Sequence, residues 1–202
     1  MHDVFHLHDL ANDAQHRLLL YWLDVARRDR SVPLAAFDEM RLPPSVRANY
    51  VVLGLGNDGI RKARFLRTGS AVPVNLGVDP VGLTLEQLMP PSYVNDIVPA
   101  YAICASTFSP LSSLDLVTYS DGYSKLVRRL VLPIGRTAGL GGTCAQYLLM
   151  IYAPAGGADD MADEVQGPGQ CRTMQRVDSV GIALFKDVPP EPAAPCSNDI
   201  GL

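Results

Sequence analysis

Hydrophobic residues recur at helical spacing in two parts of the chain. The first stripe falls within residues 9–29 and consists of Leu18, Leu19, Tyr21, Trp22, Val25 and Ala26. The second falls within residues 91–107 and consists of Val94, Ile97, Val98, Tyr101 and Cys104. Because residues three or four positions apart share one face of a helix, both stretches are predicted to be amphipathic helices. Pro99 interrupts the second stretch and removes one backbone hydrogen bond there.

Segments rich in β-branched, aliphatic and aromatic residues indicate a β-sheet. The first segment, 49–55, precedes Asn57-Asp58-Gly59, which favours a hairpin turn and an immediate reversal of the chain. The next segment, 60–66, fits either a strand or a helix. Three more strands are predicted at 114–119, 123–134 and 143–152, with a glycine-rich loop at 135–142. Because these three strands follow one another with short gaps, they are predicted to pair as an antiparallel meander.

The remaining segments predict turns, a linker and an extension. Residues 31–47 contain three prolines and are predicted to form a linker. Residues 69–88 are punctuated by glycines, which predicts short helices joined by turns. The extension is predicted to contain one extra strand at 179–186 and a flexible, proline-rich end. We therefore divide the chain into an N-terminal helix and linker (1–47), a central domain (48–154) and a C-terminal extension (155–202).

Composition and charge are those of an ordinary globular chain. Of its 202 residues, 48% are hydrophobic and 19% charged, and the net charge is −4. A negative net charge gives no global field that would attract nucleic acid, so we expect no nucleic-acid partner. The sequence has neither a run of 18 apolar residues nor the cationic start of a signal peptide, so we expect no membrane contact. Four widely spaced cysteines without a CxxC pair predict reduced thiols and a cytoplasmic location.

One motif favours an enzyme. Gly54-Leu55-Gly56-Asn57-Asp58-Gly59 follows a predicted strand, and Asp79 lies 20 residues after Gly59. This spacing is typical of a dinucleotide-binding oxidoreductase, in which backbone amides at a helix start bind the pyrophosphate and the acidic residue binds the ribose. The meander after residue 110 weighs against this interpretation, because a Rossmann fold continues with parallel βαβ units. A dinucleotide site that uses Gly54, Gly56 and Gly59 is therefore kept as an alternative.

Four sequence motifs occur in a fixed order along the chain. They are Leu20-Tyr21-Trp22, Arg67-Thr68-Gly69-Ser70-Ala71, Gly77-Val78-Asp79-Pro80-Val81-Gly82-Leu83-Thr84-Leu85-Glu86-Gln87-Leu88 and Leu130-Val131-Leu132-Pro133-Ile134. Their order and spacing resemble a family of PAS-type domains, mostly from alphaproteobacteria, long regarded as a domain of unknown function. The resemblance covers roughly residues 18–154 and departs from the family pattern at Pro80-Val81, where a polar pair is usual. It implies an α+β PAS fold, a five-stranded antiparallel sheet with flanking short helices and an N-terminal helix.

The resemblance also implies a function and a site. It implies a non-catalytic sensory or regulatory domain that binds a small molecule or a partner protein in signal transduction. A ligand would lie between helix 91–107 and the concave face of the sheet. The expected ligand-binding residues are Tyr93, Ile97, Tyr101, Cys104, Tyr119, Leu130, Leu132, Leu148 and Met150. If these are ordinary core residues, the domain is a ligand-free PAS-fold adaptor for protein interactions. The sequence identifies neither the ligand nor any cofactor.

The N-terminal helix is the second functional surface that the resemblance implies. In PAS proteins such a helix often covers the outer face of the sheet and pairs with its copy in a homodimer. The expected interface residues are Leu19, Trp22, Leu23 and Ala26. The alternative is that the stripe packs only on its own sheet. Because the sequence contains no kinase or cyclase segment, we expect the output to pass through a partner protein or a change in the dimer.

A catalytic or metal site is hard to assemble from this sequence. All four histidines lie within the first 16 residues, remote from the predicted core. A Ser-His-Asp or Cys-His arrangement would require that terminal segment to fold over the sheet. Haem ligation would need a core histidine, and the sequence around Cys104 lacks the polar motif of a flavin-reactive cysteine. We therefore predict no catalytic and no metal-binding residues.

Overall fold

The computed structural model describes residues 13–42, 44–119, 124–139, 142–154 and 171–181, the last of these as backbone. The helices are α1 (Asp13–Arg28), α2 (Pro44–Arg47), α3 (Ala71–Leu76), α4 (Leu85–Leu88) and α5 (Pro91–Thr107), with 3-10 turns at Leu34–Phe37, Glu39–Arg41 and Ile60–Lys62. The strands are β1 (Tyr50–Gly54), β2 (Arg64–Thr68), β3 (Leu111–Tyr119), β4 (Ser124–Gly139), β5 (Gly142–Pro154) and β6 (Cys171–Gly181).

The strands form one antiparallel sheet in the order β2-β1-β5-β4-β3-β6. Strands β3, β4 and β5 are the predicted meander, and β1 inserts beside β5 with Tyr50 opposite Ile151. The α+β fold class, with a five-stranded antiparallel sheet and the element order of a PAS domain, is confirmed. The sixth strand lies at the β3 edge.

The extra strand overlaps the predicted one at residues 179–181 and begins earlier in the chain. Strand β6 begins at Cys171 and ends at Gly181, whereas the prediction was 179–186. Residues 182–186 lie outside the described residues. The prediction followed the apolar run after Ser179, but the pairing follows the length of β3, which β6 matches from Leu111 to Tyr119. Backbone hydrogen bonds to an open edge can recruit a segment whose side chains give no strand signal.

The chain reverses where predicted, although not through a tight hairpin. Strands β1 and β2 are antiparallel and are joined by residues 55–63, which include the 3-10 turn at Ile60–Lys62. The loop predicted at 135–142 is also mostly strand, since β4 continues to Gly139 and pairs with Gly142 of β5. Gly135 has a φ of 70° and an added Cβ would lie 2.9 Å from the Tyr147 ring. Glycine there lets the long strand keep pairing past an irregular position.

Short helices fill the predicted glycine-rich segment between β2 and α5. Thr84 and Gln87 form a capping box at the start of α4, with the Thr84 amide 2.9 Å from Gln87 Oε1. Gly69 allows an unusually close backbone approach, because a Cβ there would lie 2.3 Å from the carbonyl oxygens of Arg47 and Ala48. This contact places the start of α3 against the end of α2 and explains the glycine within the Arg67–Ala71 motif.

The sheet has two buried faces. Successive residues of a strand point to opposite sides, so alternate residues of β4 belong to different faces. We define the inner face by Val51, Asp115, Arg129, Val131 and Met150, which lie towards α5. We define the outer face by Val52, Leu130, Leu132, Leu149 and Ile151, which α1 covers. All members of both sets are buried.

Helix α1 is fixed to the outer layer by apolar contact and by two hydrogen bonds. Leu18, Leu19 and Trp22 are at most 1% exposed. The Trp22 indole Nε1 donates to the Pro133 carbonyl at 2.8 Å, and Gln15 Nε2 donates to the Arg128 carbonyl at 2.8 Å. Burial of a leucine-sized side chain contributes about 1.5–3 kcal/mol, so this stripe is a substantial part of the core.

Candidate functional site

An arginine lies in the middle of the inner face. Arg129 of β4 is 4% exposed and stands directly opposite Tyr152 of β5 and Ser113 of β3. Its neighbours on the same face of β4 are Val127 and Val131, both buried. A buried arginine is costly unless its charge and its donors are satisfied. The partners of Arg129 therefore define the chemistry of this face.

Helix α5 supplies two phenols to Arg129. Tyr93 and Tyr101 are eight residues apart, which places both on the face of α5 that packs on the sheet. Arg129 Nη1 donates to the Tyr101 hydroxyl at 2.8 Å and also to the Tyr93 hydroxyl. The guanidinium carbon lies 5.4 Å from the Tyr93 ring centroid and 5.8 Å from that of Tyr152, within the range of cation–π attraction.

Strand β3 supplies the counter-charge. Asp115 is 0% exposed, and its Oδ2 lies 3.3 Å from Arg129 Nη2. The same oxygen accepts hydrogen bonds from the Tyr93 hydroxyl at 3.2 Å and the Ser113 hydroxyl at 3.4 Å. Asp115, Arg129, Tyr93 and Tyr101 thus form one hydrogen-bonded group, here called the polar cluster, whose formal charges cancel.

The surroundings of the polar cluster raise the pKa values of its two tyrosines and of its arginine. Burial raises the pKa of Tyr93 well above its ordinary value, with Arg129 opposing and Tyr101 and Asp115 adding to the shift. Burial also raises the pKa of Tyr101, again opposed by Arg129. For Arg129 burial alone would lower the pKa, but Tyr101, Tyr93 and Asp115 outweigh it and raise the pKa well above its ordinary value. The phenols therefore keep their protons and the guanidinium keeps its charge near neutral pH.

Two polar atoms of the cluster have no hydrogen-bond partner among the residues that the structure describes. They are Nε of Arg129 and Oδ1 of Asp115. Arginine carries donors only, so its unpaired Nε–H can be satisfied only by an acceptor brought into the site. Leaving a buried donor unpaired costs about 1–3 kcal/mol. In a native core such an atom requires a water, a ligand or another explanation.

A small cavity adjoins the polar cluster. Its volume is about 20 Å³, counted as space for the centre of a water-sized sphere. Its polar lining is Tyr93, Tyr101, Arg129 and Tyr152, and its apolar lining is Val51, Phe65, Leu85, Met89, Ile97 and Met150. About one water molecule fits this space. Met89 is half-buried, so the cavity wall reaches the surface there.

The cavity brings together four of the predicted ligand-binding residues. Tyr93, Ile97, Tyr101 and Met150 line it from α5 and β5. Leu148 lies further along the inner face of β5, and the Cys104 thiol lies 3.9 Å from the Val131 carbonyl. Both are buried but do not line the cavity. Burial raises the pKa of Cys104, which keeps it a protonated core residue. The side chain of Tyr119 lies outside the described residues.

Two predicted ligand-binding residues lie on the wrong face. Leu130 and Leu132 alternate with Arg129 and Val131, so they belong to the outer face under α1. Both are 0% exposed. The prediction assigned Leu130 and Leu132 of the apolar run 130–134 to the ligand-binding face. A strand that is buried on both faces has apolar residues pointing to each of them in turn.

The polar cluster itself was missed, although the sequence contains a signal for it. Asp115 lies between Ser113 and Val117 at strand period, and Arg129 lies between Val127 and Val131. A charged residue whose neighbours two positions away are both apolar points into a buried face, and Arg129 meets this condition. Asp115 does not meet it, because Ser113 is polar, so the sequence signal concerns Arg129 alone.

The glycine motif has a structural explanation that does not involve a nucleotide. Gly54 ends β1, where an added Cβ would lie 2.8 Å from Leu66, and Gly59 has a φ of 85° before a three-residue 3-10 turn. The next strand, β2, is antiparallel to β1. The Asp79 carboxylate accepts the Val81 amide at 3.0 Å as a turn cap. The segment thus lacks the helix start and parallel neighbour on which a dinucleotide fingerprint depends.

The interface predicted on α1 is already partly occupied. Leu19 is 0% and Trp22 1% exposed against their own sheet, whereas Leu23 and Ala26 are half-buried. A second copy could therefore not reach Leu19 or Trp22 without displacing α1. Both are core residues of their own domain and not interface residues. Leu20, on the far side of the helix, is 55% exposed.

The cysteines differ from the expectation of four reduced thiols. Cys104 is free and buried, but Cys144, at the start of β5, is disulfide-bonded. Spacing along the sequence does not show which cysteines the fold brings together. Because disulfides are rare in a reducing compartment, the bond counts against the cytoplasmic location, which stays a prediction.

The described residues lack the features of two other kinds of site. None of their helices has both the length and the hydropathy that a bilayer crossing requires. Within the same part of the chain, no three His, Cys, Asp or Glu side chains are grouped so that they could bind a metal ion.

Comparisons with known proteins give structural likenesses alone. No family model matches this sequence, and no curated protein matches it. A structure of VqmA bound to DPO is similar over 60% of this chain and 56% of that chain, at 16% identity and a TM-score of 0.37. A light-oxygen-voltage domain is similar over 63% and 92%, at 10% identity and a TM-score of 0.41.

A third similar structure is the PAS domain of an HTR-like protein from Haloarcula marismortui. The likeness covers 68% of this chain and 98% of that domain, at 16% identity and a TM-score of 0.35. The chain spans about half the length of the VqmA chains it resembles. At these identities and TM-scores the likenesses concern the fold alone.

Proposed function

We propose that this chain is a non-catalytic PAS-type regulatory domain that binds a small molecule at the polar cluster. The observation that supports the proposal is the unpaired Nε of Arg129 in a residue that lines a largely apolar cavity. Small-molecule sites combine apolar walls with a few fixed polar groups, which is the composition of this cavity. A binding event here would change the packing around Met89 and Met150 at one end of the site and so change what the domain presents to a signalling partner.

The cavity must enlarge to hold more than water. Met89 and Met150 form part of its wall, and methionine side chains adapt their shape more easily than branched ones. The polar cluster does not need to move, because α5, β3 and β4 hold it in place. Ligand entry thus requires side-chain repacking at one end of the site and leaves the other end unchanged.

Native mass spectrometry of the purified protein tests the proposal. We expect wild-type protein to retain a small molecule, and the double variant Arg129→Met/Asp115→Leu to lose it while remaining folded. The double variant removes both charges together and therefore leaves no uncompensated ion. A wild-type spectrum without added mass would contradict the proposal.

A ligand-free adaptor for protein interactions is the second candidate function. The small volume of the cavity, about 20 Å³, favours it, since a single water could satisfy Arg129 Nε. In that case the polar cluster is purely structural. The same spectra distinguish the two candidates, because an adaptor shows neither a bound mass in wild type nor a difference in the double variant.

We further propose that the domain forms a homodimer through the accessible side of α1. Exposed Leu20 and half-buried Leu23 and Ala26 are the residues available to a second copy. Sedimentation velocity should show a dimer for wild type and a monomer for Leu20→Glu. Leu126→Glu, which changes a comparably exposed leucine on β4, should leave the dimer intact. Dissociation by both variants, or by neither, would contradict this interface.

A further inference from the structure

The polar cluster has no net charge to offer a ligand. Arg129 and Asp115 are both buried, and their charged groups lie 3.3 Å apart. An anionic ligand would have to share Arg129 with a carboxylate that is already present, and a cationic ligand would have to approach a guanidinium. Either ion would be moved out of water without a counter-charge of its own, which costs several kcal/mol. The charges therefore select against both classes of ion.

The donors that remain at the cavity define what the ligand must carry. Tyr93 has no donor left for a ligand, since its hydroxyl proton goes to Asp115 while its oxygen accepts from Arg129. The Tyr101 hydroxyl accepts from Arg129, and among the described residues its own proton has no acceptor. Arg129 Nε–H is the second unused donor. Both residues line the cavity.

We propose that the site takes a small uncharged molecule with an apolar body and a hydrogen-bond acceptor such as a carbonyl oxygen. The acceptor lies against Arg129 and Tyr101, and the body lies against Phe65, Leu85, Ile97 and the two methionines. This inference rests on the proposed function, and it specifies the chemistry of the ligand at that same site.

A matched series of six-membered rings tests the chemistry. The probes are cyclohexanone, cyclohexanecarboxylate, cyclohexylammonium and methylcyclohexane, and binding is followed by protein amide shifts in NMR titrations. Each hydrogen bond to a fixed donor is worth about 1.4 kcal/mol or more, which corresponds to about tenfold in affinity. We expect cyclohexanone to bind, with shifts in α5, β4 and β5, and the other three probes to bind at least about tenfold more weakly.

Two variants assign the binding to the two donors. Tyr101→Phe removes one unused donor and should weaken cyclohexanone binding about tenfold. Arg129→Lys keeps the positive charge beside Asp115 but removes the Nε–H donor, and should have a similar effect. Tyr147→Phe is the control, since Tyr147 is half-buried on β5 and does not line the cavity. It should leave the affinity unchanged.

The outcomes separate this inference from the proposed function. If the carboxylate or the ammonium binds as well as the ketone, the ligand is charged and the inference is overturned, although a binding site remains. If methylcyclohexane binds with the same affinity as cyclohexanone, the donors are not used and the inference is again overturned. The same holds if Tyr101→Phe and Arg129→Lys both bind cyclohexanone with wild-type affinity. If none of the rings binds and native spectra show no added mass, the proposed function itself fails.

Discussion

The two faces of the sheet are built from the same strands but on different principles. The outer face meets α1 through apolar side chains, and its polar contacts are donated to backbone carbonyls, as by Trp22 to Pro133. The inner face meets α5 through a buried arginine, a carboxylate and two phenols. A fully apolar inner face would pack at least as well, because buried ion pairs are commonly neutral or unfavourable relative to apolar residues of similar volume.

This difference indicates that the inner face has a role besides packing. On the outer face one buried hydroxyl, that of Ser112 opposite Leu130, has no partner among the described residues, but the charged pair Arg129 and Asp115 lies on the other face. On the inner face, Nε of Arg129 and Oδ1 of Asp115 have no partners among the described residues, and Arg129 also lines a cavity. A substitution on one face should therefore differ in its effect from a comparable substitution on the other.

The largest effect is expected from breaking the buried ion pair. Arg129→Met leaves Asp115 buried without a counter-charge and should lower the free energy of unfolding by about 3–5 kcal/mol. Urea denaturation measures this value. Adding Asp115→Leu should recover most of the loss. Arg128→Met, on the other face of β4 and half-buried, is the control and should cost under about 1 kcal/mol. A double variant as unstable as Arg129→Met would mean that the pair is needed for stability itself.

A truncation on the outer face should be nearly as costly and should have no such rescue. Leu19→Ala removes a fully buried side chain and should lower the free energy of unfolding by about 3 kcal/mol, through lost burial and a cavity under α1. Leu20→Ala, one position along and exposed, should stay within about 0.5 kcal/mol of wild type. Equal losses in these two variants would show that α1 does not pack on the sheet as described.

Alkaline pH should act through the inner face. The pKa values of Tyr93 and Tyr101 are raised in the folded protein, so above pH 10 the unfolded chain releases protons that the native state retains. Their contribution to stability is present below pH 10 and is lost as pH rises further, by about 1.4 kcal/mol per pH unit for each proton. Urea midpoints from pH 7 to 11 should be flatter for Tyr101→Phe than for Tyr147→Phe. Identical slopes would contradict the assignment.

The smallest effect is expected from the single hydroxyl of Tyr101. Tyr101→Phe at pH 7 should cost only about 1 kcal/mol, because Arg129 retains Tyr93 and Asp115 as partners. Thermal denaturation measures the shift in Tm. A loss above about 3 kcal/mol would show that the hydroxyl is central to the fold, which would make its use in binding experiments unsafe.

The sequence predicts the elements of this fold better than their roles. The stripes in residues 9–29 and 91–107 predict α1 and α5 because helical spacing is a local property. The identity of each buried face is not local. Leu130 and Leu132 are as apolar as Val131, and only the register with β5 shows which of them lies under α1. The start of β6 at Cys171 was not predicted for the same reason, since this strand is defined by its pairing with β3.

The candidate site was predicted in part for a related reason. Tyr93, Ile97 and Tyr101 were found because α5 carries them on one face, and Met150 because it lies on a predicted strand. Asp115 and Arg129 were not predicted because only apolar and aromatic residues of the strands were assigned to the buried face. The pairing of one charge on β3 with another on β4 is visible only when both strands are placed side by side.

The position of β1 next to β5 has a consequence for how the chain reaches this structure. Tyr50 pairs with Ile151, about a hundred residues later, so the centre of the sheet closes only when nearly the whole domain has been synthesised. Contacts of such long sequence separation slow folding. Until β5 has been synthesised, one edge of β1 carries unpaired backbone N–H and C=O groups. The tendency to aggregate during expression, and the dependence on chaperones, should therefore increase when synthesis of β5 is slow. The stability of the folded protein should not alter this dependence.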